Sequence, residues 1–285
     1  AHQVMPVRRR SWNHSGFVVG DGERAFHAVL PEPTDTPVAV VFQFHGLGDT
    51  TDNFKQAFTP NPNDPDWPVV VITPTSRQLM PWSDPVGLEW EMFGGPDNGE
   101  IAMVQAVLGC LARDYTLDRA HLHALGFSAG AIQTNLVHSA MPEVFASTLA
   151  WSGAWFNDPE QVDGVNVPDT FPIAFDWPDL EPPRDPVGGA LLLTRGGEAD
   201  TFDLLGQPLI DFDASVQLAV PFLLDAGRTV VECVHDRGHQ PHPDVFSDDV
   251  IAAFFQDHPA DAPSPWVDDG LPGALGSSCT VHTPE

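Results

Sequence analysis

Lysine is nearly missing from this chain. Lys55 stands alone among 12 basic residues, against 40 acidic ones, and the formal net charge is −28. Such a surface repels phosphate backbones and anionic lipid headgroups, so nucleic acid and membrane faces are poor partners. The acidity fits high-salt adaptation or plain solubility and says nothing about a reaction. Runs of eighteen or more apolar residues are also lacking, so no segment reads as a membrane span. Residues 1–10 contain arginines but no apolar core follows them, so they do not form a signal peptide. The expectation is a mature, secreted, periplasmic or cell-surface protein whose signal peptide has been removed. The oligomeric state is not legible.

Cysteine is scarce as well. Cys110 falls on the apolar face of a predicted helix and reads as a buried thiol. Cys233 and Cys279 are able to bridge and pin the C-terminal tail, which would imply an oxidising compartment; an odd count neither demands nor excludes that. No Cys or His pair has zinc spacing. Asp211 with Asp213, and Asp248 with Asp249, are the pairs that could hold calcium, but in so acidic a chain they read as solvated carboxylates. No metal and no cofactor are expected.

What the chain does have is alternation. Residues 17–19 and 24–30 read as an antiparallel pair across Asp21-Gly22. Apolar runs at 38–44, 69–73, 121–125, 148–151, 190–194 and 229–234 read as buried strands. Helices are predicted from Asn98 or Asp97 through Leu111, then over 129–140, 214–226 and 245–256. Strands alternating with helices give an α/β fold with a mostly parallel sheet, helices on both faces and an antiparallel N-terminal pair. Residues 1–258 form one domain. Within it, the Pro-, Asp- and Trp-rich stretch 155–189 is an irregular insertion, read as a rim or partial lid. Residues 259–285 form a Pro- and Asp-rich tail expected to wrap the surface or stay loosely ordered.

One pentapeptide carries chemistry. Gly126-Phe127-Ser128-Ala129-Gly130 lies between a predicted strand and a predicted helix, the context of a nucleophile elbow. Alone it is weak, since a chance G-x-S-x-G is expected in roughly one chain in ten of this length. Ser128 needs a base. His239 follows the last predicted strand and so shares the edge where the loops after parallel strands gather; His242 is the competitor. The imidazole needs a carboxylate, and the loop after strand 190–194 supplies Asp200, with Glu198 and Asp203 as alternatives. For the oxyanion, one N–H is expected from Ala129 and a second from Leu47, or alternatively Gly46, in the loop His45-Gly46-Leu47-Gly48-Asp49.

The stretch from Arg24 to His239 resembles the α/β-hydrolase fold esterases, within them the secreted polyhydroxybutyrate depolymerase and feruloyl esterase group. The resemblance rests on His45-Gly46, on Trp90 ahead of the helix near Asp97, and on residues 115–120 before the elbow. It includes Glu143-Val144-Phe145-Ala146, Ser152-Gly153 and the Asp200 and His239 loops. It implies a serine nucleophile acting on carboxylic esters with no cofactor. The chain departs at Ala131, where a further glycine often follows, and in having few cysteines. Substrate contacts are expected from His45, Trp82, Trp90, Trp151 and Trp155, with Trp177 in the same cluster, as flat platforms for an aryl group or a polymer chain. The expected function is hydrolysis of a small or polymeric carboxylic ester through an acyl-enzyme. The alternatives are a peptidase or amidase on the same fold, or a non-catalytic binding protein.

Overall fold

The computed structural model describes residues 11–20, 22–77, 89–92, 98–157, 177–180, 189–204 and 207–285. In chain order come β1 (Ser11–Val19), β2 (Gly22–Val29), β3 (Val38–Phe44), α1 (Thr51–Phe54), β4 (Val69–Pro74) and α2 (Gly99–Asp114). Then follow β5 (Leu117–Phe127), α3 (Ala129–Ala140), β6 (Ser147–Trp151), β7 (Leu191–Arg195), β8 (Thr201–Leu204) and β9 (Gln207–Asp211). The chain ends with α4 (Phe212–Asp225), β10 (Val230–Val234), α5 (Asp248–Asp257) and β11 (Cys279–His282).

The apolar runs explain the layering. Every residue of β3 is buried. Its Val38, Val40, Phe42 and Phe44 enter one apolar cluster, while Ala39 and Val41 enter another. The same two-residue period sends Val70 and Ile72 of β4 one way and Val69 and Val71 the other. The sheet is thus the wall between two cores. α2, α3 and α4 cover the first; Phe54 of α1, α5, Trp266 and Leu275 cover the second. Helix starts are set by side chains. Asn98 accepts from the amides of Glu100 and Ile101, Asp211 from that of Ala214, and Ser247 from that of Val250.

Among the described residues the main sheet has nine strands in the order β1-β2-β4-β3-β5-β6-β7-β10-β11. The inner run from β4 to β10 is parallel, and the edges are antiparallel. This is the α/β class expected from the alternation, with details that periodicity did not show. β1 starts at Ser11, with a register shift between His14 and Phe17. β8 and β9 form a separate antiparallel pair. Residues 279–282 of the tail add the far edge strand, pairing with β10 so that Cys233 faces Cys279. The two are disulfide-bonded, and Cys110 is a buried free thiol. Of the stretch read as a rim or lid, residues 158–176 and 181–188 lie outside the described ones. No helix among the described residues is long and apolar enough to cross a membrane.

The acidic pairs act locally. Asp211 caps α4, Asp213 accepts from Arg195 and Gln217, and Asp248 accepts from the backbone and hydroxyl of Thr59.

Two measurable consequences follow. The disulfide closes a loop with a sequence separation of 46. Chain entropy gives such a link about 4 kcal/mol, so reduction, or Cys279→Ala with Cys233→Ala, should lower the urea midpoint accordingly. The second concerns buried histidines. Burial depresses the His258 pKa to about 4, and holds His123 and His138 well below the ordinary value. His258 is satisfied as the neutral ring, donating to the Phe254 carbonyl and accepting from Ser264. A depressed pKa means the unfolded chain binds more protons. The stability His258 contributes is therefore complete above about pH 6.5 and is lost as pH falls toward 4, and His123 and His138 act in the same direction. For His258 alone the loss is about 3 kcal/mol on full protonation and about 2 kcal/mol of it has occurred by pH 4.5, which equilibrium unfolding of wild type and His258→Gln at pH 7 and pH 4.5 measures as a difference.

Candidate active site

The elbow is built by exclusion. A Cβ at Gly126 would lie 2.1 Å from the Gly130 carbonyl oxygen, and one at Gly130 only 2.0 Å from that of Phe44. No side chain fits at either place, so β5 can turn directly into α3 against the end of β3. Ser128, between them, has φ 56° and ψ −122°. Its amide donates to the Trp151 carbonyl at 2.9 Å, and its own carbonyl accepts from the amides of Ala131 and Ile132. The serine is thus fastened at the strand end in a conformation that costs about 1–3 kcal/mol for a residue with a Cβ.

Ser128, His239 and Asp200 are brought together. Ser128 Oγ lies 2.8 Å from His239 Nε2, and His239 Nδ1 lies 2.7 Å from Asp200 Oδ1. An ionised carboxylate only accepts, so Nδ1 carries the proton and Nε2 is left as the acceptor for the serine hydroxyl. Asp200 has no exposed surface, and its second oxygen accepts from Ser152 Oγ and from the Gly196 amide, both at 2.8 Å. The imidazole is held between two rings, stacked on Phe212 at 4.5 Å between ring centres and tilted by 30° against Phe127 at 4.9 Å. The loops carrying the acid and the base interlock. Gly238 donates its amide to the Gly196 carbonyl, and a Cβ at Gly196 would meet the Gly238 oxygen at 2.1 Å. Such a chain suits transfer of the serine proton to nitrogen, with the resulting imidazolium stabilised by a dry carboxylate.

The loop after β3 lies against the serine. A Cβ on Gly46 would stand 3.4 Å from Ser128 Cβ. Ala129 opens α3, so its N–H is one of those at the positive end of a helix. The Gly46 carbonyl accepts from His45 Nδ1 at 2.9 Å and from the Asp49 amide at 3.2 Å.

The other candidates lie elsewhere. His242 is buried, with its ring against His235 and Nε2 near the Val234 carbonyl. Glu198 and Asp203 are exposed. His45 sits behind its own loop with 1% exposure. Trp90 and Trp151 have no exposed surface and Trp155 has 1%, so none of the three is presented to solvent as a platform. Trp90 instead donates to the His45 carbonyl, Trp151 packs on Phe246, and Trp155 packs on Trp177. Trp82 lies outside the described residues.

Two residues gained no role from sequence. Ser152, quoted above only as part of a motif, directly supports Asp200; a polar residue immediately after a parallel strand was the available signal. Glu89 accepts from the Gly48 amide in the loop after β3, and a single acid in so acidic a chain gave no signal at all.

No family model matches this chain. Over 130 residues it is 26% identical to feruloyl esterase B of Neurospora crassa, covering 45% of this chain and 43% of that protein. The match therefore spans less than half of the relative's length. Among solved structures, native sOPH aligns with TM-score 0.70 at 20% identity, covering 95% of this chain and 94% of that one. A thermostable esterase aligns with TM-score 0.57 at 16% identity, covering 88% of this chain and 63% of that one. The chain has the α/β-hydrolase fold.

If Ser152 holds the acid in place, Ser152→Ala should slow phosphonylation of Ser128 by a fluorophosphonate about ten- to a hundredfold, the value of one hydrogen bond to a charged group. Intact-mass kinetics reads this directly, and labelling at the wild-type rate would leave Ser152 without that role.

Proposed function

We propose that this protein hydrolyses carboxylic esters through an acyl-enzyme on Ser128. The observation that carries the reading is the unbroken hydrogen-bond chain from Ser128 Oγ through His239 to the buried Asp200. Ser128 Oγ attacks the ester carbonyl carbon as its proton passes to His239 Nε2. Asp200 keeps the ring in one tautomer and stabilises its charge. The tetrahedral adduct collapses, the C–O bond to the alcohol breaks, and the alcohol leaves with the proton from Nε2. Water then adds to the acyl-serine with His239 as base. The acid departs and the serine hydroxyl is restored.

The adduct's oxygen needs donors, and Ala129 and Leu47 are the proposed pair. For Leu47 the support is peptide planarity. The Gly46 carbonyl is held by His45 Nδ1 and the Asp49 amide, so the Leu47 N–H of the same trans peptide points the opposite way.

Esters, rather than amides, are favoured because the sequence relative is a feruloyl esterase and the structural neighbours include an esterase. An aryl ester of the feruloyl type or a polyester is the proposed substrate class. The Cys233–Cys279 bridge supports an oxidising compartment, hence a secreted, periplasmic or surface location.

The test is a panel of p-nitrophenyl, feruloyl and polyester substrates with a matched anilide, at low and high salt. Ester turnover should exceed anilide turnover. Ser128→Ala should lose about four orders of magnitude or more in kcat while unfolding normally. Faster cleavage of the anilide would make the protein an amidase, and residual activity near wild type would remove Ser128 from the mechanism.

A further inference from the structure

Glu89 is a buried acid at 7% exposure that the proposed reaction does not use directly. Its backbone has φ 71°, a left-handed conformation that residues with a Cβ rarely adopt. Its two carboxylate oxygens face different partners. Oε1 accepts from the Gly48 amide at 3.0 Å. Oε2 accepts from Ser76 Oγ at 3.3 Å and lies 3.6 Å from His45 Nδ1. The next residue, Trp90, is fully buried and donates its indole N–H to the His45 carbonyl at 2.8 Å.

We infer that Glu89 is a positioning residue for the oxyanion donor, locking the peptide on the far side of Leu47. This rests on the reading of Leu47 as that donor. A backbone N–H lies in the plane of the peptide before its residue, so it stays aimed when that plane is held and the peptide after the residue anchors the Cα about which it would otherwise shift. The plane before Leu47 is fixed through the Gly46 carbonyl, held by His45 Nδ1 and the Asp49 amide. The plane after it is fixed through the Gly48 N–H, and the hold there is Glu89 Oε1. With both planes held, the Leu47 N–H stays aimed before substrate arrives, as electrostatic preorganisation requires. The conformation of Glu89 is consistent with such a task. Among the described residues the non-glycine positions with positive φ are Glu89, Ser128 and Ser152, and the other two are the proposed nucleophile and the hydroxyl donor to Asp200. Strain that clusters in this way marks functional positions.

What matters in this role is an acceptor of the right reach, not the charge. Glu89→Gln keeps an oxygen for the Gly48 N–H, whereas Glu89→Asp keeps the charge but falls one methylene short. The experiment compares Glu89→Gln, Glu89→Asp and Glu89→Ala on a p-nitrophenyl ester, beside wild type and Ser128→Ala, with thermal unfolding of each. Expected is a kcat within about threefold of wild type for Gln, and losses of about ten- to a hundredfold for Asp and Ala with KM little changed, the pattern of a contact made only in the transition state. The Gln–Asp comparison decides the matter even if the Ala variant does not fold. Wild-type kcat in Asp, a raised KM with unchanged kcat, or a loss in Gln matching that in Asp would each overturn the role of Glu89. Those outcomes leave the mechanism standing provided Ser128→Ala is inactive. An active Ser128→Ala would instead remove the reading on which the inference depends.

Discussion

A carboxylate with no exposed surface must have its strong acceptor sites answered, and most of the arrangement around Asp200 follows from that demand. Three donors answer it, each from the end of a different parallel strand. Ser152 comes from the end of β6, Gly196 from the end of β7, and His239 from the loop after β10. These strands are consecutive neighbours in the sheet. Satisfying one buried charge therefore gathers three loops on one edge and delivers the imidazole to Ser128. A truncated donor would leave a buried charge partly unpaired, which is costlier than the loss of an ordinary hydrogen bond.

The serine is placed by a different force. Hydrogen bonds of the Ser128 amide and carbonyl hold the elbow, but the bend is possible only because nothing obstructs it. Gly126 and Gly130 permit contacts that any larger residue would forbid, so α3 can start against the end of β3. The same approach puts Gly46 beside Ser128 and brings the loop after β3 to the serine. His239 and Asp200 are positioned by polar satisfaction, Ser128 and the loop after β3 by close packing. The far edge supports the first set. β11 is fastened to β10 by a disulfide and by the Val234 amide bonding to Ser278, one residue before the loop that carries His239 begins.

How much of this was legible in the sequence depended on whether a residue's role is written in spacing. Strands buried on both faces are near-continuous apolar runs, so β3, β4, β6, β7 and β10 and their alternation with helices could be read directly. Ser128 was legible because its glycines stand at fixed offsets. The pairing with Asp200 and His239 was legible because a parallel sheet gathers the loops after its strands on one edge, and no long-range contact had to be known. β11 was not, since Cys279–His282 is a short edge strand in a Pro-rich tail and carries no period. The tryptophans were ambiguous for a chemical reason. A large amphipathic ring suits both a cleft wall and a core, and composition cannot separate them; burial of Trp90, Trp151 and Trp155 does. Glu89 was hidden most completely, because its role comes from contacts with Ser76, Gly48 and His45, which lie in other parts of the chain.

The three non-glycine residues with positive φ among the described residues join these threads. Each costs about 1–3 kcal/mol of backbone strain, and each is fixed by contacts reaching across the sheet edge. Ser128 gives its amide to Trp151, Ser152 gives its amide to Thr194, and the Glu89 carbonyl accepts from the Arg77 amide. Strained positions retained only by over-determination cannot be scattered through a fold of marginal stability. Their concentration around one serine is thus informative independently of any motif. It outlines a site comprising the serine, the support of its acid and the support of its proposed oxyanion loop. Glycine would relieve the strain at all three positions, yet none of them is glycine, because each needs its side chain: a hydroxyl at Ser128, a donor at Ser152 and an acceptor at Glu89.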